Sequence, residues 1–315
     1  MMRNLSVILL VLSIGCAAPA LNDAPAGVAA PLQPAAVDSV ELMRDIAVLA
    51  HDSMEGRRVG TEGSARARRF IEGRFAQIGL LPVDGDFQKP FPVSGDVPVT
   101  GVNLVGMIRG GELEDRYIVV TAHYDHLGTR DGEIFNGADD NASGTAALLQ
   151  IAGYFSRQRP RHSIIFAALD GEEGGLRGAR AFIADPPVPQ EAIVLNVNMD
   201  MVGRNDAGEL YVAGTRHYPQ LLPYVEAVAA AAEVTLIPGH DAPNAARPSD
   251  DWTMASDHGP FHAAGIPFLY FGVEDHPYYH QPTDEVSGIQ PGFYRRAVRT
   301  VLQTVRLLDQ SLTGG

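Results

Sequence analysis

The sequence predicts an α/β fold, a three-layer sandwich in which helices cover both faces of a mostly parallel, mixed central β-sheet. Two observations carry the prediction. Three β-branched, nearly all-apolar runs, "RYIVVTA", "HSIIFAALD" and "EAIVLNVNMD", read as strands buried on both faces. Between them lie segments whose apolar residues recur at helical spacing, the alternation expected of an α/β chain.

In chain order, "MMRN" brings one positive charge before "LSVILLVLSIG", an apolar stretch too short to span a bilayer. Together they predict a secretory signal over residues 1–20. "SIGC" resembles a lipoprotein cleavage box that would leave Cys16, the only cysteine, lipidated, although Ser13 stands where such boxes usually carry Leu. "APA" at 18–20 is the alternative, a small-residue site of a secreted protein. Both readings predict export, to the periplasm or outer membrane as a lipoprotein or to the medium. The mature domain then has no disulfide. Residues 21–36 form an Ala/Pro-rich linker, and 37–315 a single domain.

Within the domain, "VDSVELMRDIAVLAH" predicts a helix capped by Asp38, and "SARARRFIEGRFAQIGL" a second that stops at Gly79. "FQKPFPV" and "GVNLVGMIRG" read as short strands. "SGTAALLQIAGYFSRQ" and "GLRGARAFIA" are the helices between the central strands. "YPQLLPYVEAVAAAAE" predicts another helix, "IPFLYFG" a strand, and "PGFYRRAVRTVLQTVRLLDQSL" a long C-terminal helix. Residues 237–255, polar and Pro-rich, predict a surface loop near the site. The composition agrees: 45% hydrophobic residues suffice for a sizeable core. A charge of −14 without any Lys/Arg block excludes a nucleic-acid surface.

Sites of open α/β sheets form beyond the carboxyl ends of the strands. His123 and Asp125 follow "RYIVVTA", Glu172 and Glu173 follow "HSIIFAALD", and Asp200 closes "EAIVLNVNM". Asp139 and Asp140 lie between a strand and a helix, in "GADDNASG", and His280 follows "IPFLYFG". One such residue would be a solvated side chain. Two imidazoles and several carboxylates at one edge repel unless a cation sits among them, so the pattern predicts a metal centre. Without thiolates, the donors suit zinc, manganese or cobalt. Charge counting predicts two ions: Asp140, Glu173 and Asp200 with one hydroxide balance two divalent cations. Asp140, flanked by small residues, would bridge ions about 3.5–4 Å apart that activate a shared water. Asp125 would hold the tautomer of His123.

"AHYDH", "GADDNASG", "DGEEGGLRGA", "NVNMDMVGR", "SDHGPF" and "YYHQPTDE" together resemble metallopeptidase family 28, the two-zinc aminopeptidases related to aminopeptidase Y and the bacterial leucyl aminopeptidases. The resemblance runs from about residue 38 to 312 and includes "MEGRRVGTEGSARARRFI". It implies the zinc aminopeptidase fold and its strand order. It also implies that His123 and Glu173 bind one zinc, Asp200 and His280 the other, and that Asp140 bridges them. Glu172 would be the general base and Asp139 an outer residue of the loop. Independently, adjacent glutamates at a turn point in different directions, which leaves Glu172 free for proton transfer.

Asp257, in "SDHGPF", is expected to hydrogen-bond behind the ligands, and Tyr279 to shape a substrate pocket with Tyr278. His126 is expected to be structural, and His51, His162, His217, His240, His262 and His276 to be surface or core residues. The resemblance implies an aminopeptidase acting on peptides with a free N-terminus, whose positive amine an acidic rim would attract. The alternatives are a carboxypeptidase, a glutaminyl cyclase-like relative, or a catalytically silent peptide- or metal-binding lipoprotein. No nucleic-acid partner is expected, and membrane association only through a lipid anchor at Cys16.

Overall fold

Asp38 caps the first helix: its Oδ1 accepts hydrogen bonds from the amides of Val40 and Glu41, two donors the helix cannot satisfy itself. In the computed structural model, which describes residues 36–93, 98–242 and 250–313, this helix is α1, Ser39–Leu49. The expected signal over 1–20 and the linker through 35 lie outside the described residues. Helix α2, Glu62–Ile78, starts two residues before the predicted point because Thr61 caps it, and it ends where Gly79 adopts φ +87°.

The strands are β1 (Leu81–Pro82), β2 (Gln88–Val93), β3 (Val99–Ile108) and β4 (Leu113–His123). A hairpin of β5 (Gly128–Arg130) and β6 (Glu133–Phe135) then leads to α3, Gly144–Arg157. Next come β7 (His162–Leu169), α4 (Arg177–Ala184), β8 (Ile193–Met199) and β9 (Glu209–Ala213). The chain finishes with α5 (Leu222–Ala229), β10 (Thr235–Pro238), α6 (His258–Ala263), β11 (Phe268–Gly272) and α7 (Pro291–Ser311).

Nine strands form one mixed sheet in the order β1-β3-β7-β4-β8-β11-β9-β10, with β2 also paired to β3. Its centre, β7-β4-β8-β11, is parallel, and antiparallel pairings of β3 to β7 and β9 to β11 lead to the edges. Alternate residues of β4 serve opposite cores: Ile118, Val120 and Ala122 join the cluster under α1, α2, α3 and α7, whereas Val119 joins Phe182 of α4 and Phe261 of α6. The predicted three-layer α/β sandwich is therefore the observed fold.

Some elements differ from expectation. Strands β9 and β10 were not predicted; β10 takes the first residues of the expected loop at 237–255, part of which (243–249) lies outside the described residues. Both are short and near the sheet edge, where pairing and not hydrophobic pattern defines them. The predicted helix over 218–233 divides into a 3₁₀ turn at Pro219–Leu221 and α5, which stops at Ala229. The alanines beyond favour helix, but propensity without packing does not carry a short helix onward. Among the described residues no helix is long and apolar enough to cross a membrane.

Candidate metal centre

Four parallel strands deliver the site. His123 is the last residue of β4, Glu172 and Glu173 follow β7, Asp200 follows β8, and His280 lies in the segment after β11. Thr145 Oγ1 donates to the His123 carbonyl (2.7 Å), and the Asp200 amide donates to the Phe271 carbonyl (3.0 Å), so both strand ends are fixed.

The loop of "GADDNASG" is held from several directions. The amides of Asp139 and Asp140 donate to the Asp284 carboxylate at 3.0–3.1 Å. Asn141 Nδ2 donates to the Met199 carbonyl (2.9 Å), and the Asn141–Asp140 peptide is cis. Asp139 turns away from the cluster: its Oδ1 accepts from the Gly203 amide (2.6 Å) and its Oδ2 pairs with His276 Nε2 (3.0 Å). Gly137 has φ +54°, and a Cβ there would overlap the Asp140 carbonyl and the His126 ring, so only glycine fits. Arg57, fully buried, ties this loop to β4, donating to the carbonyls of Leu49, Tyr124, Asn136 and Gly137 at 2.6–2.9 Å.

Six predicted residues converge. His123 Nε2 lies 3.2 Å from Asp200 Oδ1 and 3.4 Å from Asp140 Oδ1. His280 Nε2 lies 3.2 Å from both Asp140 Oδ2 and Glu173 Oε2. The distances thus group His123 with Asp200 and His280 with Glu173, with Asp140 between the two imidazoles. This corrects the predicted grouping of His123 with Glu173 and Asp200 with His280. Glu172 sits on the first side, where donor atoms of His123, Glu172 and Asp200 all lie within 4.8 Å of one another.

His126 is also part of the cluster: its buried Nδ1 is 2.7 Å from Glu173 Oε1 and 3.7 Å from Asp140 Oδ2, so it belongs with the site more closely than its sequence spacing indicated. For Asp125 the contact with His123 Nδ1 runs mainly through the backbone carbonyl, at 3.2 Å, with the carboxylate at 3.6 Å; that carboxylate accepts the Glu172 amide at 3.0 Å. Tyr279 stacks on His280, ring centroids 3.9 Å apart. Asp257 is buried close behind, but neither of its oxygens has a hydrogen-bond partner, which corrects the expectation that it hydrogen-bonds behind the ligands. Arg57, Asp284, His126 and His276 escaped sequence reasoning as members of the site. The first three sit inside the quoted motifs "MEGRRVG", "HQPTDE" and "AHYDH", which was the available signal.

The electrostatics are those of crowded acids. Burial, then the neighbouring Asp200 and Asp257, pushes the Glu172 carboxyl well above its usual range, partly opposed by His123. Burial and the adjacent Glu173 raise Asp140. Asp257 is pushed up to about 8 by burial and by Asp125 and Asp200. Burial opposes the charged imidazoles, but Asp200 and Glu172 raise His123, and Asp140 and Glu173 raise His280 to about 10. Arg57, fully buried nearby, adds a further positive charge that faces Asp125, Asp140, Asp284 and Glu173. His126 Nδ1 and Glu173 Oε1, though 2.7 Å apart, do not meet in hydrogen-bond geometry, and His126 Nε2 is buried without a partner. Imidazole and carboxylate donors at ligand spacing, with polar atoms left over and no thiolate, fit zinc.

Comparison with known proteins agrees with this chemistry. The sequence profile of peptidase family M28 matches residues 103–305. A probable zinc metalloprotease of Leptosphaeria maculans is 31% identical, the match covering 70% of this chain and 57% of that protein. Aminopeptidase YwaD of Bacillus subtilis is 31% identical over 60% of this chain and 41% of its own length. The chain therefore spans about half the length of the curated relatives it matches. Among solved structures, a zinc aminopeptidase from Bacillus subtilis superposes with TM-score 0.67 at 18% identity, covering 86% of this chain and 95% of that one. A glutaminyl cyclase of Porphyromonas gingivalis gives 0.70 at 18% identity, covering 87% and 98%. With the family profile matched across most of the domain and the donor set standing at the strand ends, the chain belongs to peptidase family M28.

Proposed function

We propose that the protein is an exported zinc-dependent aminopeptidase that releases N-terminal residues from peptides. The observation that carries the reading is Asp140, within 3.4 Å of His123 and 3.2 Å of His280, with Asp200 and Glu173 completing the two sides. In this reading His123, Asp200 and Asp140 would hold one zinc, and Glu173, His280 and Asp140 the other. Bound there, zinc would supply the Lewis acidity that activates water and polarises the scissile carbonyl.

Glu172 takes the proton of the attacking water and passes it to the leaving amine as the C–N bond breaks and the C–O bond forms. Asp125 aids both partners: its carboxylate fixes the backbone of Glu172 and its carbonyl orients His123. Asp139 acts on the loop through Gly203 and His276. Asp257 backs the His123 side, and Tyr279, stacked on His280, borders the space for substrate. Export rests on the sequence of residues 1–20, with Cys16 as the lipid anchor or "APA" as the cleavage site.

The test is Glu172→Gln. The variant is expected to keep its zinc content while peptide hydrolysis falls by roughly 10³-fold or more; unchanged hydrolysis would discard the mechanism. The glutaminyl cyclase likeness keeps a second reading: a peptide beginning with Gln is expected to lose that residue, and formation of a pyroglutamyl end would favour the cyclase.

A further inference from the structure

A cavity of about 490 Å³ adjoins the metal cluster, sharing Asp125, His126 and Glu173 as one wall. The rest of the lining includes three arginines, Arg58, Arg130 and Arg177. This is unexpected in a chain of charge −14, whose rim was predicted to be acidic. The placement is built into the fold. Arg58 follows Arg57, the buried clamp, and its stem lies over Gly128, where a Cβ would come within 2.7 Å of the Arg58 Cβ and 3.1 Å of its Cδ. Gly128 has φ +82°, so the turn into β5 requires glycine there on both counts. Arg130, at the end of the same strand, stands with its guanidinium carbon 5.6 Å from the ring centroid of Phe135.

Arg58 and Arg130 are exposed, and among the described residues neither pairs with a carboxylate, whereas Arg177 donates to the Gly174 carbonyl at 2.8 Å. The acids of the cavity are already engaged. Asp125 accepts the Glu172 amide, and Glu173 lies between His126 and His280. Two guanidiniums without acidic partners, lining the same cavity as Asp125, His126 and Glu173, match a planar carboxylate of the ligand.

We infer that this cavity is an anion subsite that selects substrates carrying a carboxylate within one residue of the scissile bond. The inference rests on the peptidase reading for the location of that bond. The carboxylate has two sources, an acidic first residue or an acidic second residue, and the experiment separates them.

The ligands are amidated peptides with a reduced, non-hydrolysable first bond, compared in pairs: Asp-Ala with Asn-Ala, and Ala-Asp with Ala-Asn. Calorimetric binding to the zinc-loaded protein is expected to favour the acid over the amide by roughly tenfold in one pair. Arg58→Gln and Arg130→Gln are each expected to reduce that ratio, and the double variant to abolish it. Arg58→Lys should retain part of it, and affinity for the amides should stay unchanged throughout. Equal binding of acid and amide in both pairs, or a ratio that survives the double variant, would overturn the inference. Turnover of the normal peptides is read separately: acid-selective binding without turnover would count against the aminopeptidase reading and leave the subsite standing.

Discussion

Asp140 is the residue on which the centre turns. If it belongs to both ions, Asp140→Ala should lose both equivalents of zinc, whereas Asp200→Ala should lose chiefly one; metal analysis of the purified variants decides. Asp257 makes a prediction of a different kind. Its folded value of about 8 lies far above that of an unfolded carboxyl. Between about pH 4 and pH 8 the folded metal-free chain therefore holds a proton that the unfolded chain has released, and stability falls as pH rises through that window. Asp257→Asn removes this dependence without changing shape. Thermal unfolding of the metal-free protein is expected to show the variant gaining on the wild type from pH 5 to pH 8, and a constant difference would show that Asp257 is not held protonated.

At the scale of elements, the buried Arg57 joins the end of α1, the exit of β4 and the metal loop through four carbonyls. Arg57→Met leaves those carbonyls without donors and is expected to cost roughly 3–5 kcal/mol in urea unfolding. A loss under 1 kcal/mol would mean that water replaces the guanidinium. This clamp was not legible in the sequence, since nothing in "MEGRR" says which arginine is buried. The central strands were legible, because burial on both faces leaves an apolar run that no other element produces at that length. Strands β9 and β10 were not, since their identity comes from pairing along the edge. Site residues could be named from strand ends and motifs, but their grouping could not. Whether His123 faces Asp200 or Glu173 depends on how two turns direct their side chains, and spacing does not encode that. The same turns bring His126 onto Glu173.

For the molecule as a whole, the sheet gathers carboxylates that repel in the absence of a cation, so metal binding and stability are linked. Zinc at a hundredfold excess over its dissociation constant is expected to add about 2.7 kcal/mol per site. For a domain of this size that is a rise of roughly 5–10 °C in Tm per site, reversed by a chelator. An unchanged Tm would mean that the cluster does not bind zinc in the folded state. The central claim, that this edge of the sheet removes single residues from the N-terminus of peptides, has a more direct test. Matched peptides with free and acetylated N-termini are incubated with the zinc-loaded protein, and released amino acids are followed over time. Stepwise release from the free-amine peptides alone, abolished by chelation, is the predicted result. Cleavage of the acetylated peptides as well, or of neither set, would contradict it.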